Sequence, residues 1–226
     1  MNDTISVDKE LVENFLGAFP DEYINLNREQ QQIASKIYNL LSEGNPVSIE
    51  MVANSLDMDK DSVKRITDEW GGIYYNDEGN IIGYWGLATE KMGHSFKLDE
   101  KTLYTWCAWD TLFIPQIIGK TAVVESIDPV TKKTIKLTVT PSDGISDVYP
   151  PETVISFMIP DTEKVRADVI KSFCHYIHFF ESKYSAEEWI SENEKKNELL
   201  ILSIEEAYTI GLQRNELQLG KILKSA

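Results

Sequence analysis

Two cysteines and one aspartate are the residues whose types and positions first suggest chemistry. Cys107 and Cys174 are the only thiols in the chain, and Asp110 follows the first of them by three positions. On a helix, residues at that spacing share a face, so Cys107 and Asp110 would act on one bound group. Thiolate is the ligand that soft metals favour, and a carboxyl can move a proton as general base or general acid. Cys174 lies 67 positions further on; neither spacing nor composition says whether the fold brings it alongside. No C-x-x-C or H-x-x-x-H spacing accompanies the three histidines, so structural zinc is not expected.

Taken singly, each of these residues has an ordinary reading. A lone buried cysteine is usually a small hydrophobe, and an aspartate beside aromatic residues is usually a surface or capping carboxylate. His175 and His178, flanked by aromatics, read as hydrogen-bonded core histidines rather than ligands, and His94 is no stronger a candidate. Trp106, Trp109 and Phe113 form a stripe that suits core packing and could also line a pocket. The run Glu192 to Lys196 reads as a solvated helix end.

The elements that must position these side chains follow from periodicity and turn signals. A helix is expected over Val7 to Ala18, before Phe19-Pro20-Asp21. A second starts at the Asn27/Gln30 capping box and buries Ile33, Ile37, Leu40 and Leu41. Ser48 to Leu56 and Asp59 to Trp70 read as two short helices, followed by a hairpin around Asp77-Glu78-Gly79-Asn80. A strand at His94 to Leu98 precedes a helix capped by Asp99 that runs through Tyr104, Cys107 and Asp110 toward Pro115. Thr121 to Ser126 and Thr134 to Thr140 form a β-branched hairpin, and Thr153 to Ile159 forms another strand. A helix from Asp161 or Thr162 to about Cys174 leads into a buried strand at Tyr176 to Phe180. Capping boxes at Ser185/Glu188 and Ser203/Glu206 place the last two helices at about Ala186 to Lys196 and Ile204 to Leu219.

This pattern predicts an α/β protein of α+β type. An N-terminal helical extension (1–25) and a winged-helix-like subdomain (26–90) pack on a mixed sheet-and-helix core (91–226). The apolar share of 42% and charged share of 26% fit a folded globular chain. A net charge of −15 argues against nucleic acid or an anionic membrane as partner. The polar, acidic start and the lack of a long apolar run lead us to expect a cytoplasmic protein.

The segment Leu103-Tyr104-Thr105-Trp106-Cys107-Ala108-Trp109-Asp110-Thr111-Leu112 resembles the cysteine-to-aspartate signature of the alkylmercury (organomercurial) lyases. Ser172 to Phe180 resembles the segment that carries that family's second catalytic cysteine, at close to the family's separation. The resemblance extends to Asp77 through Tyr84 and Pro115 through Thr121, whereas the first 25 or so residues match poorly. It implies that Cys107 and Cys174 bind the mercury of substrate and product and that Asp110 handles the proton. It further implies an organomercurial substrate, no resident cofactor, and transfer of Hg(II) to mercuric reductase or to small external thiols. Burial among Trp106, Trp109 and Phe113 would raise the Asp110 pKa as an acid step requires.

The chain departs from the family's pattern at some positions. Certain members carry further cysteines beside the second catalytic one and in the middle hairpin; here His175 follows Cys174 and no cysteine lies between Ala122 and Thr140. Trp109 is bulkier than the aliphatic residue expected between the two key positions, which would narrow the substrate range. Two rival readings use the same residues: a thiol-based metal-binding or metal-transfer protein without lyase activity, and a metal-sensing winged-helix regulator.

Overall fold

The computed structural model describes residues 8–223. Residues 1–7, including Val7 where the first helix is expected to begin, and 224–226 lie outside the described residues. Helix α1 (Lys9–Gly17) starts where the Asp8 carboxylate accepts the Glu10 and Leu11 N–H groups, and it buries Val12, Phe15 and Leu16. A short α2 (Asp21–Ile24) follows Pro20. The Asn27/Gln30 capping box is formed reciprocally at 3.0 and 2.9 Å and opens α3 (Arg28–Leu41), which buries Ile33, Ile37, Tyr38 and Leu41. Ser48 caps α4 (Ile49–Leu56) and Asp59 caps α5 (Lys60–Asp68). The expected hairpin follows as β1 (Ile73–Tyr75) and β2 (Ile81–Tyr84).

The next segment corrects the sequence reading. After β3 (Leu87–Ala88) and β4 (His94–Leu98), Lys101–Thr105 forms strand β5 rather than the start of a helix. Asp99 sits at φ +51 in the tight β4–β5 turn instead of capping a helix. Leu103 and Thr105 face inward and pair with Phe96 and His94, so period-2 burial decides the segment. The helix α6 (Asp110–Ile118) begins only at Asp110 and continues past Pro115 to Gly119, whose φ of +64 terminates it.

Strands β6 (Ala122–Ile127) and β7 (Thr134–Thr140) form the expected hairpin, and β8 (Gly144–Tyr149), not foreseen, extends it. Strand β9 (Val154–Met158) leads to α7 (Thr162–Ser172), which is broken at Asp168, and then to a 3₁₀ turn at Cys174–Tyr176. Of the strand expected over Tyr176 to Phe180, only β10 (Phe179–Phe180) pairs, because Ser156 takes the hydrogen bonds of Tyr176 O and His178 N. Helix α8 (Lys183–Glu192) is capped by Ser182, not Ser185, whose hydroxyl donates to the buried Asp128 carboxylate at 2.8 Å. After β11 (Leu199–Ser203), the Ser203/Glu206 box opens α9 (Ile204–Leu223) as expected.

Every strand pairing among the described residues is antiparallel. One sheet runs β1-β2-β3-β5-β4-β6-β7-β8 and a second runs β10-β9-β11. Helix α9 packs against α6 and α3. Gly211 permits the α6 contact, since a Cβ there would lie 2.7 Å from Phe113 Cβ. No helix among the described residues is long and apolar enough to cross a membrane.

Candidate active site

Cys107, Asp110 and Cys174 converge, and one ligand atom from each lies within 4.8 Å of the others. All three are buried, with Asp110 5% exposed and Cys174 4%. Cys107 and Asp110 do not meet as helical neighbours. Cys107 stands in the turn between β5 and α6, and Asp110 is the first residue of the helix. The Cys107 N–H donates to Asp110 Oδ2 at 2.8 Å, so the turn folds the carboxyl back onto the cysteine. Thr105 Oγ1 donates to the Cys107 carbonyl at 3.0 Å and Thr111 Oγ1 to that of Ala108 at 2.7 Å, fixing both sides of the turn.

The second cysteine is delivered by the opposite sheet. Ser156 of β9 donates to Tyr176 O at 2.7 Å and accepts from His178 N at 2.9 Å, pinning the 3₁₀ turn that opens with Cys174. The Ala108 N–H reaches Ile177 O at 3.2 Å, a direct backbone link between the two cysteine segments. These contacts join residues that the sequence places far apart.

Burial governs the acidity of the cluster. It pushes the Asp110 carboxyl from 3.8 up to about 7, against the opposing hydrogen bonds from Cys107. The Cys107 thiol is pushed well above its ordinary value by burial, then by its contact with Cys174 and by the nearby Asp110 charge. At Cys174 the hydrogen bond with Cys107 pulls down, but burial and the Asp110 charge together push up, and the net direction is up. Both thiols are therefore protonated at neutral pH, and the carboxyl beside them can gain or lose a proton there.

The cluster opens into a narrow, largely aromatic cavity lined by Trp106, Trp109, Phe173 and Val169 together with Phe19 and Tyr23 from the N-terminal helical region. Trp85 and Gly86 complete the wall. Of the stripe that the sequence left open between core packing and a pocket wall, Trp106 and Trp109 face the site, whereas Phe113 packs behind the Trp109 ring at 4.7 Å. The Trp109 indole is held by its N–H bond to Ala207 O at 2.9 Å. Phe19, Tyr23, Trp85, Gly86 and Phe173 were not singled out from the sequence. Their aromatic density was visible there, but helical periodicity does not tell an inward ring at a pocket from one in the core.

The histidines stand apart from this chemistry. His94 is buried, bonds Ser126 Oγ through Nδ1 at 2.8 Å, and burial lowers its pKa to about 3. The His178 ring bonds the His175 carbonyl through Nε2 at 2.8 Å, so both fit the reading of satisfied core histidines. His175 is exposed rather than buried.

A model of the MerB alkylmercury lyase family matches residues 87–214. An alkylmercury lyase of Pseudomonas putida is 35% identical over 193 residues, covering 84% of this chain and 87% of that protein. Those of Staphylococcus epidermidis (strain ATCC 12228 / FDA PCI 1200) and Streptomyces lividans are each 33% identical over 175 residues, covering 77% of this chain and 77% and 78% of theirs. A crystal structure described as the mercury-bound form of MerB2 aligns with a TM-score of 0.72 over 93% of this chain and 98% of its own, at 22% identity. That likeness speaks for the mixed α/β fold. Because the family match runs through the whole stretch that carries Cys107, Asp110 and Cys174, and the relatives agree over most of their own length, the chain belongs to the alkylmercury lyase family.

Proposed function

We propose that this protein cleaves the carbon–mercury bond of organomercurials by protonolysis, with Cys107 and Cys174 as mercury ligands and Asp110 as the proton-handling group. The observation that carries this reading is the buried convergence of two thiols and a carboxyl within 4.8 Å. Asp110 takes a thiol proton as one thiolate bonds to mercury and displaces the incoming ligand X. The second thiol then adds as its thiolate while its proton leaves with X as HX, and the two thiolates raise electron density at mercury and weaken the remaining bond to carbon. Asp110 returns its proton to that carbon. The balance is R–Hg–X plus two enzyme thiols giving R–H, HX and mercury held by two enzyme thiolates.

Two external thiols, from small molecules or from mercuric reductase, then take Hg(II) by exchange and restore the enzyme thiols. No resident cofactor enters this scheme. A narrow, largely aromatic cavity suits the organic group and limits its size, with Trp109 as a bulky wall. We also read 26–90 as a winged-helix-like subdomain between a helical extension (1–25) and the core (91–226). Three helices followed by the β1–β2 hairpin support that division, although the hairpin continues the eight-stranded sheet. The cytoplasm, where thiols stay reduced, is the setting this chemistry requires.

Phenylmercury incubated with the protein and excess thiol should release benzene, measured by gas chromatography. Cys107→Ser and Cys174→Ser should each abolish the release, while Asp110→Asn should retain mercury and slow turnover by at least about 100-fold. Tight mercury binding without benzene would favour the metal-transfer reading instead.

A further inference from the structure

We propose that the two-residue turn Trp85–Gly86 orients the Asp110 carboxyl for proton delivery, and that Tyr38 and Arg214 are the positioning residues that hold this turn. The inference rests on the lyase reading above. Both turn residues adopt positive φ, +104 at Gly86, which glycine takes without strain, and +29 at Trp85, where a side chain makes such backbone persist only if its surroundings over-determine it. Here they do. The Trp85 N–H donates to Gly72 O at 3.0 Å, the Trp85 carbonyl accepts from Tyr38 Oη at 2.8 Å, and the Gly86 carbonyl accepts from the Trp106 N–H at 2.9 Å.

The turn presents a bare Cα to the carboxyl. A Cβ at Gly86 would lie 2.5 Å from both Asp110 Cγ and Oδ1, so no side chain is tolerated there without moving the acid. Since Oδ2 already accepts the Cys107 N–H at 2.8 Å, the carboxyl is clamped between the cysteine backbone on one side and Gly86 on the other. Its plane is set by two backbone segments, which proton transfer to a carbon held by two sulfurs requires.

Arg214 secures the turn from behind. It is fully buried, and its guanidinium hydrogen bonds run to neutral groups: Asn215 Oδ1 and the hydroxyls of Tyr23 and Tyr38. A guanidinium can only donate, so its bond to Tyr38 Oη obliges the tyrosine proton to point at the Trp85 carbonyl. The Tyr23 ring stacks on the Trp85 indole with centroids 3.4 Å apart, and Arg214 lies over the Tyr23 ring at 4.8 Å. One buried cation thereby organises both tyrosines that touch Trp85, one at its backbone and one at its ring. A buried cation with no ionic partner among the described residues is costly, which a role in fixing its neighbours would explain.

The test is a mutant cycle on phenylmercury turnover. Tyr38→Phe should lower kcat about 10-fold and Gly86→Ala about 100-fold, with KM nearly unchanged and Hg(II) still retained by the thiol pair against a chelator. In an Asp110→Asn background neither substitution should reduce the residual rate further, because both act through the carboxyl. Losses that multiply in that background, an unchanged kcat for Tyr38→Phe, or a loss of mercury retention together with kcat would overturn the inference while leaving the lyase reading intact. Should Gly86→Ala fail to fold, Tyr38→Phe, which keeps the ring and removes one oxygen, carries the cycle. A wild-type protein that releases no benzene would overturn the reading and this inference with it.

Discussion

Asp110 carries a carboxyl whose burial outweighs the hydrogen bonds from Cys107, and this has a consequence for stability as well as for proton transfer. A carboxyl whose pKa rises on folding from 3.8 to about 7 binds its proton more tightly in the folded state. Stability is then greatest below the lower value, falls as pH rises through the window, and has lost about 4 kcal/mol above the upper one. Asp110→Asn removes that dependence. The variant should unfold at a higher urea concentration than the wild type at pH 8 and at nearly the same concentration at pH 4; equal midpoints at both pH values would show that the carboxyl is not held in the buried state described. The two thiols packed against it stay protonated through this window: burial raises Cys107, and at Cys174 burial and the Asp110 charge outweigh the lowering hydrogen bond with Cys107. At this scale the sequence was informative about identity and misleading about geometry. The three-residue spacing pairs Cys107 with Asp110 only if both lie on one helix, whereas a turn and a backbone hydrogen bond bring them together.

Among the elements, α1 and the β5–α6 junction matter most to the site. The Phe15 ring of α1 is fully buried and meets Trp109 at 5.1 Å, Phe157 at 4.7 Å and Phe173 at 5.9 Å, so α1 braces two walls of the cavity from behind. Phe15→Ala should cost about 3–5 kcal/mol, read as a lowered urea midpoint. An unchanged midpoint would mean that α1 is not part of the cooperative core. Capping boxes at Asn27 and Ser203 were legible because the hydrogen bonds that define them are local. The same logic failed at Ser185, where a distant buried carboxylate claims the hydroxyl, and at Asp99, where strand pairing overrides a capping residue. Strand β8 was missed because its burial does not alternate, and so it carries no clean period-2 signal.

Across the whole molecule, the net charge of −15 bears on the regulator reading. Helix α5 would be the DNA-reading helix of a winged-helix unit, but Lys64 is engaged by Asp68 at 2.6 Å and Lys60 by Glu50 at 3.7 Å. No salt-sensitive retention of a DNA fragment is therefore expected at low ionic strength, as a filter-binding titration would register. The sequence by itself determined which residues can do chemistry, the mixed α/β class, the boundaries of locally capped helices and, through its two cysteine segments, the family. Those properties depend on residue type and short-range pattern. Only the tertiary structure decided that Cys174 meets Cys107, that the acid is buried enough to hold a proton near neutral pH, and that Trp85 and Gly86 close over it. These depend on contacts between β9, the β5–α6 turn and the β2–β3 turn, segments that share no sequence period and meet only when the sheets pack.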